Sequence, residues 1–213
     1  MTQEAFSPMP EVIEAVRQGN IVIVTDDENR ENEGDLVCAG SLITPSHINF
    51  MATHGRGLIC VAMEKQRLAA LGIGRMHERG RRDPYNTAFM QSVDARRRIT
   101  TGISAPDRAH TIRLLVEPTT QPDDLISPGH VFPLEAVPGG VLQRPGHTEA
   151  AVELARWAGL EAAGVICEIL REDGEMARLP DLMAYADQHD LLMTSVADIV
   201  AWKKEHASTM VTA

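Results

Sequence analysis

Residues 148–170 read TEAAVELARWAGLEAAGVICEIL. Their pattern changes period once. Ala151, Val152, Leu154, Ala155 and Ala158 recur at helical spacing, and Gly159 stands where a helix stops. Gly164 to Leu170 is then a short apolar run, the mark of a strand buried on both faces. A helix feeding a buried strand requires a layer of helices over a sheet.

The same alternation extends outward from this pair. Toward the N-terminus, Glu11 to Gln18 reads as a helix stopped by Gly19, and Ile21 to Val24 as a strand. Thr25 to Asp35 is polar, and Leu36 to Ala39 is the next strand. Thr44-Pro45-Ser46 opens a helix ended by Gly55-Arg56-Gly57, and Leu58 to Met63 reads as a strand. Leu68 to Arg82, with glycines and an arginine cluster, reads mostly as loop. Thr87 to Val93 has strand character. Ser104-Ala105-Pro106-Asp107 has capping-box spacing and opens a helix to Val116. Pro118 to His130 reads as turns. Toward the C-terminus come a tight turn at Asp173-Gly174, a helix over Pro180 to His189, a strand over Leu191 to Thr194 and a helix capped by Ser195. Helices and strands alternate without one βαβ period. The expectation is a single α+β domain over residues 1–213, with a mixed sheet flanked by helices.

Composition narrows the function. The chain has 213 residues, enough for one well-buried core. Lys and Arg number 20 against 30 Asp and Glu, a net charge of -10. That balance speaks against nonspecific binding to nucleic acid or anionic lipid. Cys38, Cys60 and Cys167 are scattered in apolar runs, which argues against a disulfide framework or structural zinc. The first ten residues do not read as a signal peptide, and no apolar stretch is long enough to cross a bilayer, so the expected compartment is the cytoplasm.

Four segments carry candidate chemistry. Asp26, Asp27, Glu28, Glu31, Glu33 and Asp35 crowd one loop with Arg30. Such a run is either a solvated turn or a site for a hard cation such as Mg²⁺. An EF-hand is excluded, because its required glycine is Asn32 here. Arg144-Pro145-Gly146-His147-Thr148-Glu149 runs into a helix N-terminus, either an ordinary capped start or a phosphate clamp. Glu168 interrupts a buried strand, either on its solvent face or as a general acid or base. His130, in Pro128-Gly129-His130-Val131-Phe132, is either a packed residue or an acid/base group. No dinucleotide-binding, serine-elbow or P-loop pattern occurs.

Together, Asp26 through Leu36, Ile99 through Arg108, Ser127 through Leu134, Gly139 through Leu142, Arg144 through Ala150, Gly164 through Glu168 and Asp173 through Arg178 resemble the 3,4-dihydroxy-2-butanone 4-phosphate synthase family of riboflavin biosynthesis, in the family's order. The resemblance implies conversion of D-ribulose 5-phosphate to the four-carbon ketone phosphate and formate. It implies Mg²⁺, with Mn²⁺ as a substitute, and a homodimer with sites near the subunit interface. By motif, Glu31 and His147 are metal ligands. Arg30, Glu31, Asp35, Arg144, Pro145, Gly146, His147, Thr148 and Glu168 bind substrate, and Glu168, His130 and Asp35 are catalytic. Asp27, Glu28, Cys60, Thr101 and Asp107 match positions around the pocket. The chain departs from the pattern at Pro145, where glycine is expected, at Ser127, where arginine is common, and through Arg75–Arg82. Some relatives carry a GTP cyclohydrolase II domain as well, and this chain is expected to lack it.

Overall fold

The computed structural model describes residues 6–76 and 85–206. Among them, seven strands form one mixed sheet: β1 (Val22–Thr25), β2 (Gly34–Ala39), β3 (Cys60–Glu64), β4 (Val93–Ala95), β5 (Leu125–Ala136), β6 (Ala163–Glu168) and β7 (Met193–Ser195). Their order is β4-β5-β3-β6-β2-β1-β7. The β1–β7 and β3–β5 pairs are parallel, and the remaining neighbours antiparallel. The helices are α1 (Met9–Arg17), α2 (Pro45–Phe50), α3 (Lys65–Ala70), α4 (Ala105–Val116), α5 (His147–Trp157), α6 (Leu179–His189) and α7 (Val196–His206). No described helix is long and apolar enough to cross a membrane.

The central strands are apolar on both faces because helices cover both. Leu36, Cys38, Val61, Met63, Val165 and Cys167 pack with Ile48 of α2, Leu68 of α3, Ile112 of α4 and Leu182 of α6. Val37, Ala39, Cys60, Ala62 and Ile166 face the other way, against Val12 of α1, Leu154 of α5 and Ile199 of α7. This period-2 division is what gives each strand two buried faces. α5 lies closest to the sheet. A Cβ placed on Gly164 would come within 2.6 Å of the Ala151 Cβ and 2.8 Å of the Ala151 carbonyl. Gly164→Ala is therefore expected to cost about 1–3 kcal/mol by overpacking. Urea unfolding measures it, and an unchanged midpoint would contradict the close approach.

Three expectations need correction. Of Thr87 to Val93, only Val93 enters a strand, while Phe89 and Met90 make isolated bridges to Leu134 and Arg75. Met90 donates to the Pro133 carbonyl at 2.9 Å, but proline has no N–H to continue the ladder. The segment expected as turns ends in strand: β5 starts at Leu125 and runs through a cis Ser127–Pro128 bond. Pro128 and Gly129 mimic turn chemistry locally and fall in an irregularity of the β4–β5 register, while Leu125, Ile126 and Val131 on either side of them pair with β4. Third, the Leu68 to Arg82 loop is shortened by α3, which holds Leu68 in a helix. Arg75 bonds Glu135 at 2.8 Å, and Arg79, Arg81 and Arg82 lie outside the described residues.

Candidate functional site

β1 ends at Thr25 and β2 opens at Gly34, so the acidic run is the loop joining an antiparallel pair. Inside β2, Asp35 pairs in register with Glu168, the last residue of β6. Alternation puts both on the face shared with Val37 and Ile166, which α5 covers. α5 starts at His147 with Gly146 as its N-cap residue. Loop, strand ends and helix start thus meet at one edge of the α5 layer.

The fold sorts the acids. Asp26 turns inward: its carboxylate accepts from the Glu31 N–H at 3.1 Å and the Glu33 N–H at 2.9 Å, and pairs with Arg30 at 2.8 Å. Arg30 also pairs with Glu31. Asp27 turns outward and accepts twice from Asn29, at 2.8 Å each, which holds its pKa below the usual carboxylate value. Glu28 is exposed. The His147 Nδ1 lies 3.7 Å from a Glu31 oxygen. One ligand atom each from Asp26, Glu31 and His147 lie within 4.8 Å of one another, the spacing that a bound cation would bridge.

Asp35 and His147 are buried, and each carries an orphaned atom, Asp35 Oδ1 and His147 Nε2. Burial pushes the Asp35 pKa up to about 7, against the opposing charge of His147. Burial alone would lower the His147 pKa, but Asp35, Glu31 and Asp26 outweigh it and raise it to about 9. Burial raises Glu31, and the neighbouring His147 and Arg30 outweigh that to leave it below its ordinary value. Glu168 is half-buried and accepts from the Leu58 N–H at 2.8 Å, so it is not on a solvent face.

Arg144 is held from three sides. It donates to the Tyr85 carbonyl at 3.0 Å, to Glu149 at 2.6 Å and to the Thr87 hydroxyl at 2.9 Å. These use three of five N–H groups and leave a fixed fork with donors to spare. A Cβ on Gly146 would meet Arg144 at 2.7 Å and Arg30 at 2.9 Å, so two guanidinium groups flank the turn before α5. With the buried Thr148 and the helix N-terminus, they gather N–H and O–H donors suited to an anion, although Arg30 and Arg144 are also paired with Asp26, Glu31 and Glu149. Pro145 lines a cavity with the outer side of the acidic loop.

His130 stands apart from this group. It is on β5, two strands across from β6, and its Nδ1 lies 2.7 Å from the buried Asp94, whose other oxygen accepts the His130 N–H at 2.9 Å. Cys60 is buried on the α5 face and its thiol is pushed up by burial. Thr101 is exposed, and Asp107 accepts from Thr100 and Gly102 to brace their loop. Sequence reasoning had not singled out Asp94, and had not separated Asp26 from its acidic neighbours. An acid between two apolar strand residues was the available signal for Asp94, whereas nothing local distinguishes Asp26 from Asp27.

A family model described as 3,4-dihydroxy-2-butanone 4-phosphate synthase matches residues 10–202. The chain is 53% identical over 200 residues to the riboflavin biosynthesis protein RibBA of Aquifex aeolicus, covering 93% of this chain and 49% of that protein. It is 52% identical to the 3,4-dihydroxy-2-butanone 4-phosphate synthase of Agrobacterium fabrum, covering 93% of both. The chain spans about half the length of several curated relatives it matches, between 36% and 56% for the first few. A crystal structure of a 3,4-dihydroxy-2-butanone 4-phosphate synthase in complex with two magnesium ions superposes with a TM-score of 0.89 at 41% identity, covering 94% of this chain and 98% of that one.

Proposed function

Because this chain belongs to the 3,4-dihydroxy-2-butanone 4-phosphate synthase family, we propose that it is a lyase of riboflavin biosynthesis that converts D-ribulose 5-phosphate to 3,4-dihydroxy-2-butanone 4-phosphate and formate. The observation that carries the reading is the meeting of Asp26, Glu31 and His147 with Asp35 and Glu168 at one helix start. In this reading residues 1–213 act as one synthase domain, in the cytoplasm, as a homodimer.

The donor set fits a divalent cation. Two carboxylates and an imidazole suit Mg²⁺ or Mn²⁺, and the buried imidazole has its Nδ1 on the Glu31 side, at 3.7 Å. Glu31 and His147 would hold the ion, with Asp26 beside them. When bound, it would stabilise negative charge developing on the substrate's oxygens.

The protein's own groups divide the remaining work. Arg144, Arg30, the Gly146 turn and Thr148 bind the phosphate and fix the carbon skeleton relative to the strand ends. Asp35, with its pKa raised to about 7, is suited to take up and return a proton at neutral pH. Glu168 faces it across the β2–β6 pair and serves the same skeleton from the neighbouring strand. His130, oriented by Asp94 through Nδ1, presents Nε2 for a further proton transfer. These exchanges accompany enolisation, loss of water, skeletal rearrangement, and re-addition of water at C4, which lets C4 depart as formate. Incubation with ¹³C-labelled ribulose 5-phosphate and Mg²⁺ is expected to release labelled formate, detected by NMR. Folded protein that releases none would refute the reading.

A further inference from the structure

We propose that Arg178, which bonds neither the ligand atoms nor the turn before α5, is a positioning residue for the metal site, acting through the backbone of Glu31. The inference rests on the metal-site reading above and deepens it. Arg178 caps α6, where its own N–H donates to Asp181 at 3.0 Å. Its guanidinium crosses to the acidic loop. One nitrogen, Nη1, donates to the Glu31 carbonyl at 3.0 Å and also to the Asn32 carbonyl.

The loop needs an outside anchor. It crowds acids of one sign, and Asn32 takes a left-handed backbone with φ of 54°. From inside, Asp26 holds the N–H groups of Glu31 and Glu33. From outside, Arg178 holds the carbonyls of Glu31 and Asn32. The peptide groups on both sides of Glu31 are therefore fixed, one by Asp26 and one by Arg178. Asp26 alone cannot be a constant anchor, because one of its oxygens belongs to the same cation-sized cluster. Among the described residues, Arg178 grips backbone carbonyls and bonds no loop carboxylate, so a cation would leave its grip intact. The loop exit is also seated on α6: a Cβ on Gly34 would lie 2.5 Å from Leu182. α6 thus sets the loop position through Leu182 and the Glu31 backbone through Arg178.

Outer groups that orient metal ligands are worth about 10–100-fold in affinity. Arg178→Ala is expected to weaken Mn²⁺ binding, read by EPR without substrate, at least about tenfold. In turnover, it raises the Mg²⁺ concentration for half-maximal activity by a similar factor while leaving kcat at saturating Mg²⁺ near the parent value. Arg178→Lys keeps the charge and the helix cap, but its ammonium ends one bond short of the Nη1 position that reaches both carbonyls, and it weakens Mn²⁺ in the same direction. Arg171→Ala, which removes a surface pair with Asp173, leaves Mn²⁺ affinity unchanged. Glu31→Gln is the reference for losing a ligand. If Glu31→Gln loses Mn²⁺ while both Arg178 variants bind it like the parent, the positioning role is overturned and the metal site stands. If Glu31→Gln also binds like the parent, the metal site itself is overturned, and the role of Arg178 with it. A kcat that collapses at saturating Mg²⁺ in both Arg178 variants, with unchanged affinity, also overturns it.

Discussion

Replacing His147 with alanine is expected to lower formate release from D-ribulose 5-phosphate at saturating Mg²⁺ by at least about 10³-fold, the rate equivalent of several kcal/mol of transition-state stabilisation. His147 supplies one of three potential ligand atoms, and two carboxylates alone would leave a cation with water in its place. That loss acts on the chemical step. Circular dichroism and thermal melting of the variant establish that the fold survives. Formate release within tenfold of the parent would refute the ligand assignment. The same assay separates other uses of the site: inorganic phosphate in place of formate would indicate a phosphatase, and binding of the sugar phosphate without turnover would indicate a sensor.

Glu168→Gln is the second large effect. Removal of an acid/base group costs about 10²–10⁴-fold in kcat. Glutamine keeps the shape and can still accept from the Leu58 N–H, so β3 and β6 stay in register. It cannot exchange a proton at neutral pH. The expected signature is a lowered kcat with little change in substrate affinity or in the Mg²⁺ requirement. That separates it from His147→Ala, in which the metal dependence changes as well. A kcat within about threefold of the parent would remove Glu168 from the proton-transfer steps.

The two variants differ in how their residues were legible. Glu168 was visible because a carboxylate in an apolar strand is costly unless it has a partner. The helix start at His147 was visible as a possible anion site, because Arg144 and Gly146 precede it, while the metal role of His147 came only from the family resemblance. Neither signal said that the residues meet. The acidic loop was least legible of all. Read alone, Asp26 to Asp35 fits a solvated turn better than a site, and Asp27 and Glu28 do remain at the surface.

Several elements followed from local pattern. α5, β6 and the turn at Asp173-Gly174 came from periodicity and stop residues, which act within a few positions along the chain. The α4 cap at Ser104, which accepts the Asp107 N–H at 3.2 Å, came from four residues. β5 did not, since Pro128 and Gly129 carry turn chemistry, and only the pairing of Leu125, Ile126 and Val131 around them with β4 reveals the strand.

The sequence by itself thus determined a helix-covered mixed sheet, an acidic loop after a buried strand, and a basic turn before a buried helix. These features depend on neighbours a few residues apart. The tertiary structure alone decided which acid turns inward, that Asp35 lies opposite Glu168, and that Arg178 grips the loop across 147 positions of chain. Strand register and helix docking are non-local: they are set by how both faces of the sheet are buried, and a one-residue slip would have turned Asp35 away from α5.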